Sequence, residues 1–211
     1  MTQSTPALFL ADSAGLDFLN SVATPTDAVV DWLEDGESLL DWLRQADMVP
    51  EQVLADLRER ALPGELERLA AQARTLREWF RGFVTEHRGH PLTESVLPQL
   101  DPLNELLELD RRYSAIAGPP AGTEGPLTLT DRRRWNSPDT LLLPIAQAMA
   151  ELICDQDFTH IKSCEGPTCT LLFADRTRGR GRRWCSMSLC GNRAKQAAHR
   201  RRHRAASAPP G

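Results

Sequence analysis

The sequence predicts a mainly α-helical chain of the α+β class: a helical N-terminal domain with a few short strands, then a small four-cysteine module of a knuckle hairpin plus a helix. Three observations carry this. Apolar residues recur at the 3.6-residue period of amphipathic helices through most of the first 160 positions. Four of the five cysteines stand in two close pairs between positions 164 and 190. The charge also reverses: 13 Lys/Arg stand against 27 Asp/Glu up to residue 160, and 12 against 2 beyond it. The overall charge of −4 therefore hides a net −14 followed by a net +10. The boundaries expected from these shifts are 1–158 for the N-terminal domain, 159–205 for the cysteine module and 206–211 for a disordered tail.

The helices follow in order. Residues 38–46 place Leu39, Trp42 and Leu43 on one face, with Ser38 as the expected cap. Pro50 suits the first turn of the next helix, which carries Leu54, Leu57 and Ala61. The longest helix starts at Pro63 and buries Leu66, Leu69, Ala70, Ala73, Leu76, Phe80, Phe83 and Val84, until Gly89 and Pro91 end it. A further helix is expected over Leu103 to Ala117. A Gly/Pro-rich loop at 118–126 leads into Leu127-Thr128-Leu129-Thr130, which alternates like a short strand. Ser137 and Pro138 announce a helix to about Cys154, with a stripe of Leu142, Ile145, Ala146, Met149, Leu152 and Ile153. Pro144 inside it implies a kink or a later start. Cys154 reads as an inert core residue.

Cys164, Cys169, Cys185 and Cys190 form C-x4-C-x15-C-x4-C. Zinc takes four soft ligands in a tetrahedron, and two knuckles joined by a longer loop supply them. Gly166 and Pro167 fit the first knuckle turn. With four thiolates no open position remains for water, so one structural zinc ion is the expected cofactor. The alternatives are two disulfides or redox thiols, which a reducing cytoplasm disfavours, and His160 standing in as one ligand. No basic leader precedes the apolar run Ala7 to Ala11, and that run is too short to span a membrane, so a cytoplasmic protein is expected. Thr170 to Phe173 reads as the returning strand of the first knuckle, and Phe173 and Trp184 would cover the metal.

Two basic groups flank the second cysteine pair. The loop 175–184 carries Arg176, Arg178, Arg180, Arg182 and Arg183, with Gly179 and Gly181 between them. After Cys190, a helix would present Asn192, Arg193, Lys195, Gln196, His199, Arg200, Arg201, Arg202 and Arg204, with Ala194, Ala197 and Ala198 as its inner edge. Arginine forks onto guanine, Asn or Gln onto adenine, and most of the cations would meet phosphates. DNA is the partner expected; RNA, an acidic protein surface or plain solvation are the other readings of the same charges. Phosphate-binding loops, zinc-protease helices and nucleophile elbows are all missing from the sequence, so an enzyme is not expected. Trp32, Trp42, Trp79, Phe80 and Phe83 would line a small-molecule effector pocket if they were not core. One finger is a small footprint on DNA, so a homodimer is expected.

The run Cys185-Ser186-Met187-Ser188-Leu189-Cys190-Gly191-Asn192-Arg193, preceded by Leu172 to Arg176 and Arg182-Arg183-Trp184, resembles the CGNR zinc finger. Upstream, Gly15 to Ser21, Asp41-Trp42-Leu43, Leu103 to Leu107 and the apolar helix before the finger resemble the ABATE domain of stress-induced transcription regulators. The resemblance covers nearly the whole chain. It implies a bacterial transcription regulator with a DNA-binding finger and the four cysteines as zinc ligands. Within the motif, Gly191 would let the helix start pass close to the metal, with N–H groups donating to sulfur. Asn192 would tie the knuckle or meet a base, and Arg193 would reach phosphate or Asp175.

Overall fold

The computed structural model describes residues 6–25, 28–119 and 122–206, with backbone only over 201–206. Helix α1 (Ala14–Leu19) lies at the centre, with Leu16, Phe18 and Leu19 fully buried. It crosses α6 (Leu142–Asp155) at Gly15, where a Cβ would lie 2.6 Å from the Ala148 carbonyl oxygen. Only hydrogen allows that approach, so Gly15 sets the α1–α6 distance. Around this pair stand α2 (Gly36–Gln45), α3 (Glu51–Arg60), α4 (Glu65–His87) and α5 (Asp101–Glu108). A two-residue ladder, β1 (Val22–Ala23) with β2 (Val30–Asp31), closes the loop after α1; strands this short leave no pattern in the sequence.

The apolar stripes read from the sequence point inward on α2, α3, α4 and α6. Trp32, Trp42, Phe80 and Phe83 are core, and Trp79 is half-buried. Three expectations need correcting and one is met. The cap of α2 is Asp35, whose Oδ1 accepts from the Ser38 N–H at 2.8 Å; Ser38 already lies inside the helix. At Pro144, where a kink or a later start was expected, the later start holds: Pro138–Leu141 is a tighter 3-10 turn, α6 proper starts at Leu142, and the proline falls in its first turn, where no intrahelical donor is needed. Cys154 is exposed. The helix expected to run to Ala117 stops at Glu108, and Arg112–Ala117 is instead strand β3. It pairs antiparallel with β4 (Thr128–Arg133), from Arg112↔Arg133 to Ala117↔Thr128. One unexpected ion lies inside. Arg77 of α4 is 3% exposed and forks onto Asp31 Oδ1 and Oδ2 at 2.8 and 2.9 Å.

The cysteine module begins with β5 (Ile161–Ser163), antiparallel to β6 (Leu172–Ala174) in the register Ile161↔Ala174, and ends with α7 (Asn192–Ala206). Its tail, residues 207–211, lies outside the described residues. The module does not hang free. Asn20, 2% exposed, donates from Nδ2 to the Leu172 carbonyl at 2.8 Å and accepts from the Leu172 N–H at 2.9 Å. One side chain thus serves as the missing strand partner of β6. Ala174 N–H donates to the Ala11 carbonyl, and just before the module Phe158 packs edge-on against Phe83 with centroids 6.1 Å apart, fixing where it begins. Leu16, Phe80, Phe173 and Cys185 belong to one continuous buried cluster.

Asp17 ties the N-terminal segment to α1 by accepting from Leu10 N–H at 2.9 Å and Ala11 N–H at 3.0 Å. Burial raises its carboxyl to about 6, against those two donors and with help from nearby Asp12. Two outcomes are expected. Asn20→Ala strands both Leu172 groups and should cost about 2–4 kcal/mol in urea unfolding, whereas loss below 1 kcal/mol would mean the pair is not made. The raised pKa of Asp17 means that its charged form is disfavoured in the fold, so its penalty grows from pH 4 to pH 6 and is full above. Asp17→Asn should therefore stabilise by about 1–3 kcal/mol at pH 8, with the difference vanishing near pH 4 in paired melting curves.

Candidate metal centre and basic surface

The knuckles are built by short local bonds. Strand β5 delivers Cys164, whose N–H donates to Leu171 O at 2.9 Å and closes the first hairpin. Inside it, Cys169 N–H donates to Gly166 O at 3.1 Å. Glu165 N–H donates to Arg183 O at 2.9 Å and so brings the second pair alongside. There Ser186 Oγ accepts from Leu189 N–H at 2.9 Å and starts a turn over Met187–Gly191 that runs into α7.

This places the four sulfurs of Cys164, Cys169, Cys185 and Cys190 within 4.8 Å of one another. Cys169 and Cys185 are 3.9 Å apart and Cys185 and Cys190 3.6 Å. A disulfide needs about 2.05 Å, so these are not bonded pairs. A zinc ion with about 2.3 Å bonds in a tetrahedron needs sulfur–sulfur edges of about 3.8 Å, which these distances match. Cys164 Sγ accepts N–H bonds from Gly166 at 3.4 Å and Cys185 at 3.3 Å, and Arg193 donates to Cys190 Sγ at 3.3 Å. Such donors stabilise thiolate rather than thiol. A Cβ at Gly166 would lie 3.1 Å from Cys190 Sγ and 3.0 Å from Cys169 Cβ, so this glycine leaves the cluster room to close.

The donor set is four cysteines positioned for one metal ion, and it fits one structural Zn2+ with no position left open. Without a cation the sulfurs cannot all ionise. The hydrogen bond from Cys185 drops Cys169 to about 5, while that bond, burial and the Cys169 and Cys164 charges push Cys185 far up. Burial raises Cys190 to about 11. His160 is not part of the cluster; its Nδ1 is 2.7 Å from Asp157 Oδ2.

The second organising residue was not foreseen. Asp175, fully buried, accepts from Lys162 Nζ at 2.7 Å, Thr177 Oγ1 at 2.6 Å and the Arg182 N–H at 3.0 Å. Burial opposes its charge, but Lys162 and the other donors outweigh it and hold the carboxyl well below the usual range. It thereby pins both ends of the arginine loop.

Residues 160–203 match the family model of the CGNR zinc finger, and residues 12–156 match ABATE, described as "Putative stress-induced transcription regulator". The chain belongs to the ABATE family, with a C-terminal CGNR finger. None of the curated proteins compared with it matches. Neither family is one of enzymes. No helix among the described residues is long and apolar enough to cross a membrane.

Within the CGNR letters, Arg193 turns inward. It donates to Leu189 O at 2.9 Å and to Pro25 O in the ABATE region, and does not reach Asp175. Gly191 is crowded by Met187 Sδ, 2.7 Å from a built Cβ, rather than by a sulfur ligand. Among the loop arginines, Arg182 also faces inward. It lies 4.3 Å over the Phe173 ring and donates to Leu10 O at 2.8 Å, to Trp184 O at 3.0 Å and to Asp12. Trp184 is half-buried under Arg183, whose Nε binds Glu165 at 2.7 Å. Arg180 donates to Asp175 O and Arg176 to Gln156 at 3.3 Å, while Arg178 is exposed. Asn192, Lys195, Gln196, His199 and Arg200 are exposed on α7, and the side chains of Arg201, Arg202 and Arg204 lie outside the described residues.

The purified protein should carry one zinc per chain by elemental analysis. Cys185→Ser should lose it to a chelator that leaves the native protein loaded, and equal retention would refute the ligand set.

Proposed function

We propose that the chain is a cytoplasmic, zinc-dependent DNA-binding transcription regulator in which the finger holds α7 against the duplex and the ABATE region senses an effector or dimerises. The observation that carries the reading is the face of α7. Asn192, Lys195, Gln196, His199 and Arg200 are spaced at i, i+3, i+4, i+7 and i+8, and all are exposed. Ala194, Ala197 and Ala198 are half-buried on the other side, with Ala194 and Ala197 lining the space beside Pro167 and Thr168. The helix has 15 residues, about 22 Å at 1.5 Å each. Its start is fixed by a zinc ligand, and its exposed stripe carries the side chains that read adenine and guanine edges in a major groove about 12 Å wide. Lys195, Arg200 and the loop residue Arg178 suit the flanking phosphates. The net −14 of residues 1–160 keeps a polyanion off the rest of the surface.

A small-molecule effector has a place that would couple the two regions. A cleft of about 640 Å³ between them is lined by Phe9, Leu10 and Asp12 on one side and Trp184, Cys185 and Met187 on the other.

Two substitutions separate affinity from readout. Lys195→Ala with Arg200→Ala should weaken binding to all duplexes and reduce the slope of log affinity against log salt by about two. Gln196→Ala should instead relax base preference with the salt slope kept. An unchanged slope in the double variant would place α7 away from phosphate. Tighter binding of structured RNA than of duplex DNA in competition would replace the DNA reading by an RNA one.

A further inference from the structure

The β3–β4 hairpin is an arm that the chain itself leaves uncovered. At its root Arg133 binds Asp110 through two bonds of 2.7 and 2.8 Å and Gln147 of α6 at 3.0 Å, which holds the arm's angle. Along the same face Ser114 bonds Asp131 across the strands. Toward the tip that face turns apolar: Ile116 and Leu129 are cross-strand partners, 74% and 73% exposed, and Leu127 continues the alternation at 72%. A two-stranded ribbon is marginal alone in water, and three large apolar side chains this exposed and adjacent are a patch that calls for a partner.

A matching surface lies on the same molecule. Beside the arm's root, α4 and α5 enclose an apolar groove of about 700 Å³, with Leu76, Trp79, Leu106, Leu109 and Leu142 in its lining. Leu109, at the end nearest the arm, is 63% exposed. The arm does not fold back over it, because its tip stays bare. The charges also complement. Helix α5 carries Asp101, Glu105 and Glu108 and no base; on the groove wall Glu105 stands opposite Arg68 of α4, whose guanidinium is held by Asp139. The arm and its root carry exposed Arg111, Arg132 and Arg134 against one exposed acid on the strands, Asp131; Arg132 and Arg134 lie on the face opposite Ile116 and Leu129, Arg134 stacked 4.7 Å over Tyr113.

We infer that the occupant of this groove is the arm of a second copy of the chain, and that two copies exchange arms about a two-fold axis. Reciprocal exchange uses each contact twice, which lets a modest arm approach the roughly 1,200 Å² that a specific interface needs. The net positive arm then sits beside the net acidic α5 of the partner, and each dimer carries two fingers. The inference rests on the dimer reading of the ABATE region and not on what the finger binds.

The test uses the full, zinc-loaded protein in sedimentation equilibrium. An arm variant (Ile116→Ser with Leu129→Ser) and a groove variant (Leu109→Glu) alter exposed residues, and unchanged zinc content and circular dichroism establish that each folds. Wild type should dimerise, and each variant should weaken dimerisation at least roughly tenfold, about 1.4 kcal/mol. Mixing the two variants should restore a heterodimer, because one copy keeps its arm and the other its groove. A wild-type dimer indifferent to both variants would overturn arm exchange and leave the dimer standing. A wild-type monomer would overturn both. Variants that weaken dimerisation but fail to complement each other would overturn the reciprocal geometry.

Discussion

Four sulfurs within 4.8 Å of one another are the constraint on which the C-terminal quarter of the chain depends. Four thiolates at that distance repel strongly, and four thiols would leave the surrounding N–H and guanidinium donors poorly matched. A divalent cation resolves both. Once it is held, the direction of α7 follows, because the helix starts immediately after the last ligand. A segment of this size has too little core to fold alone. It gains stability from two sources: the metal, and a buried cluster shared with the ABATE region, where Asn20 completes the hairpin's hydrogen bonding.

That docking also decides which charges remain outside. The finger has only two acids, and both are spent within it: Asp175 on Lys162 and Glu165 on Arg183. Arg182 and Arg193 are drawn inward by carbonyls and by Asp12. What is left outward is a stripe on α7 with Arg176, Arg178 and Arg180 exposed on the neighbouring loop. The basic character of the finger therefore divides into arginines that hold it to the ABATE region and cations that face solvent. Counting charges in the sequence cannot make that division.

The local elements were legible where one short pattern decides them. The cysteine spacing names the four sulfurs, and the 3.6-residue stripes name the buried faces of α2, α3, α4 and α6. Cys154 was misplaced: at the end of an apolar helix it reads as core, but it falls one position past the stripe that runs through Met149, Leu152 and Ile153 and is exposed. The β3 strand was not legible either. Leu106, Leu109, Tyr113 and Ile116 stand at helical spacing, so periodicity alone favours a longer helix. Pairing with Thr128–Arg133 outweighs it, and that partner lies beyond a loop. The Asn20 clamp and the Asp175 node were hidden for the same reason: their chemistry appears only when distant segments meet, Asn20 with Leu172 across 152 residues.

The most direct measurement of the account is selection of duplexes from a random DNA pool by the zinc-loaded protein, repeated with a chelator. The account predicts enrichment of a sequence motif that disappears when zinc is removed, because the metal fixes the helix that reads it. Enrichment that persists without zinc, or retention of DNA with no sequence preference alongside specific capture of RNA, would contradict it.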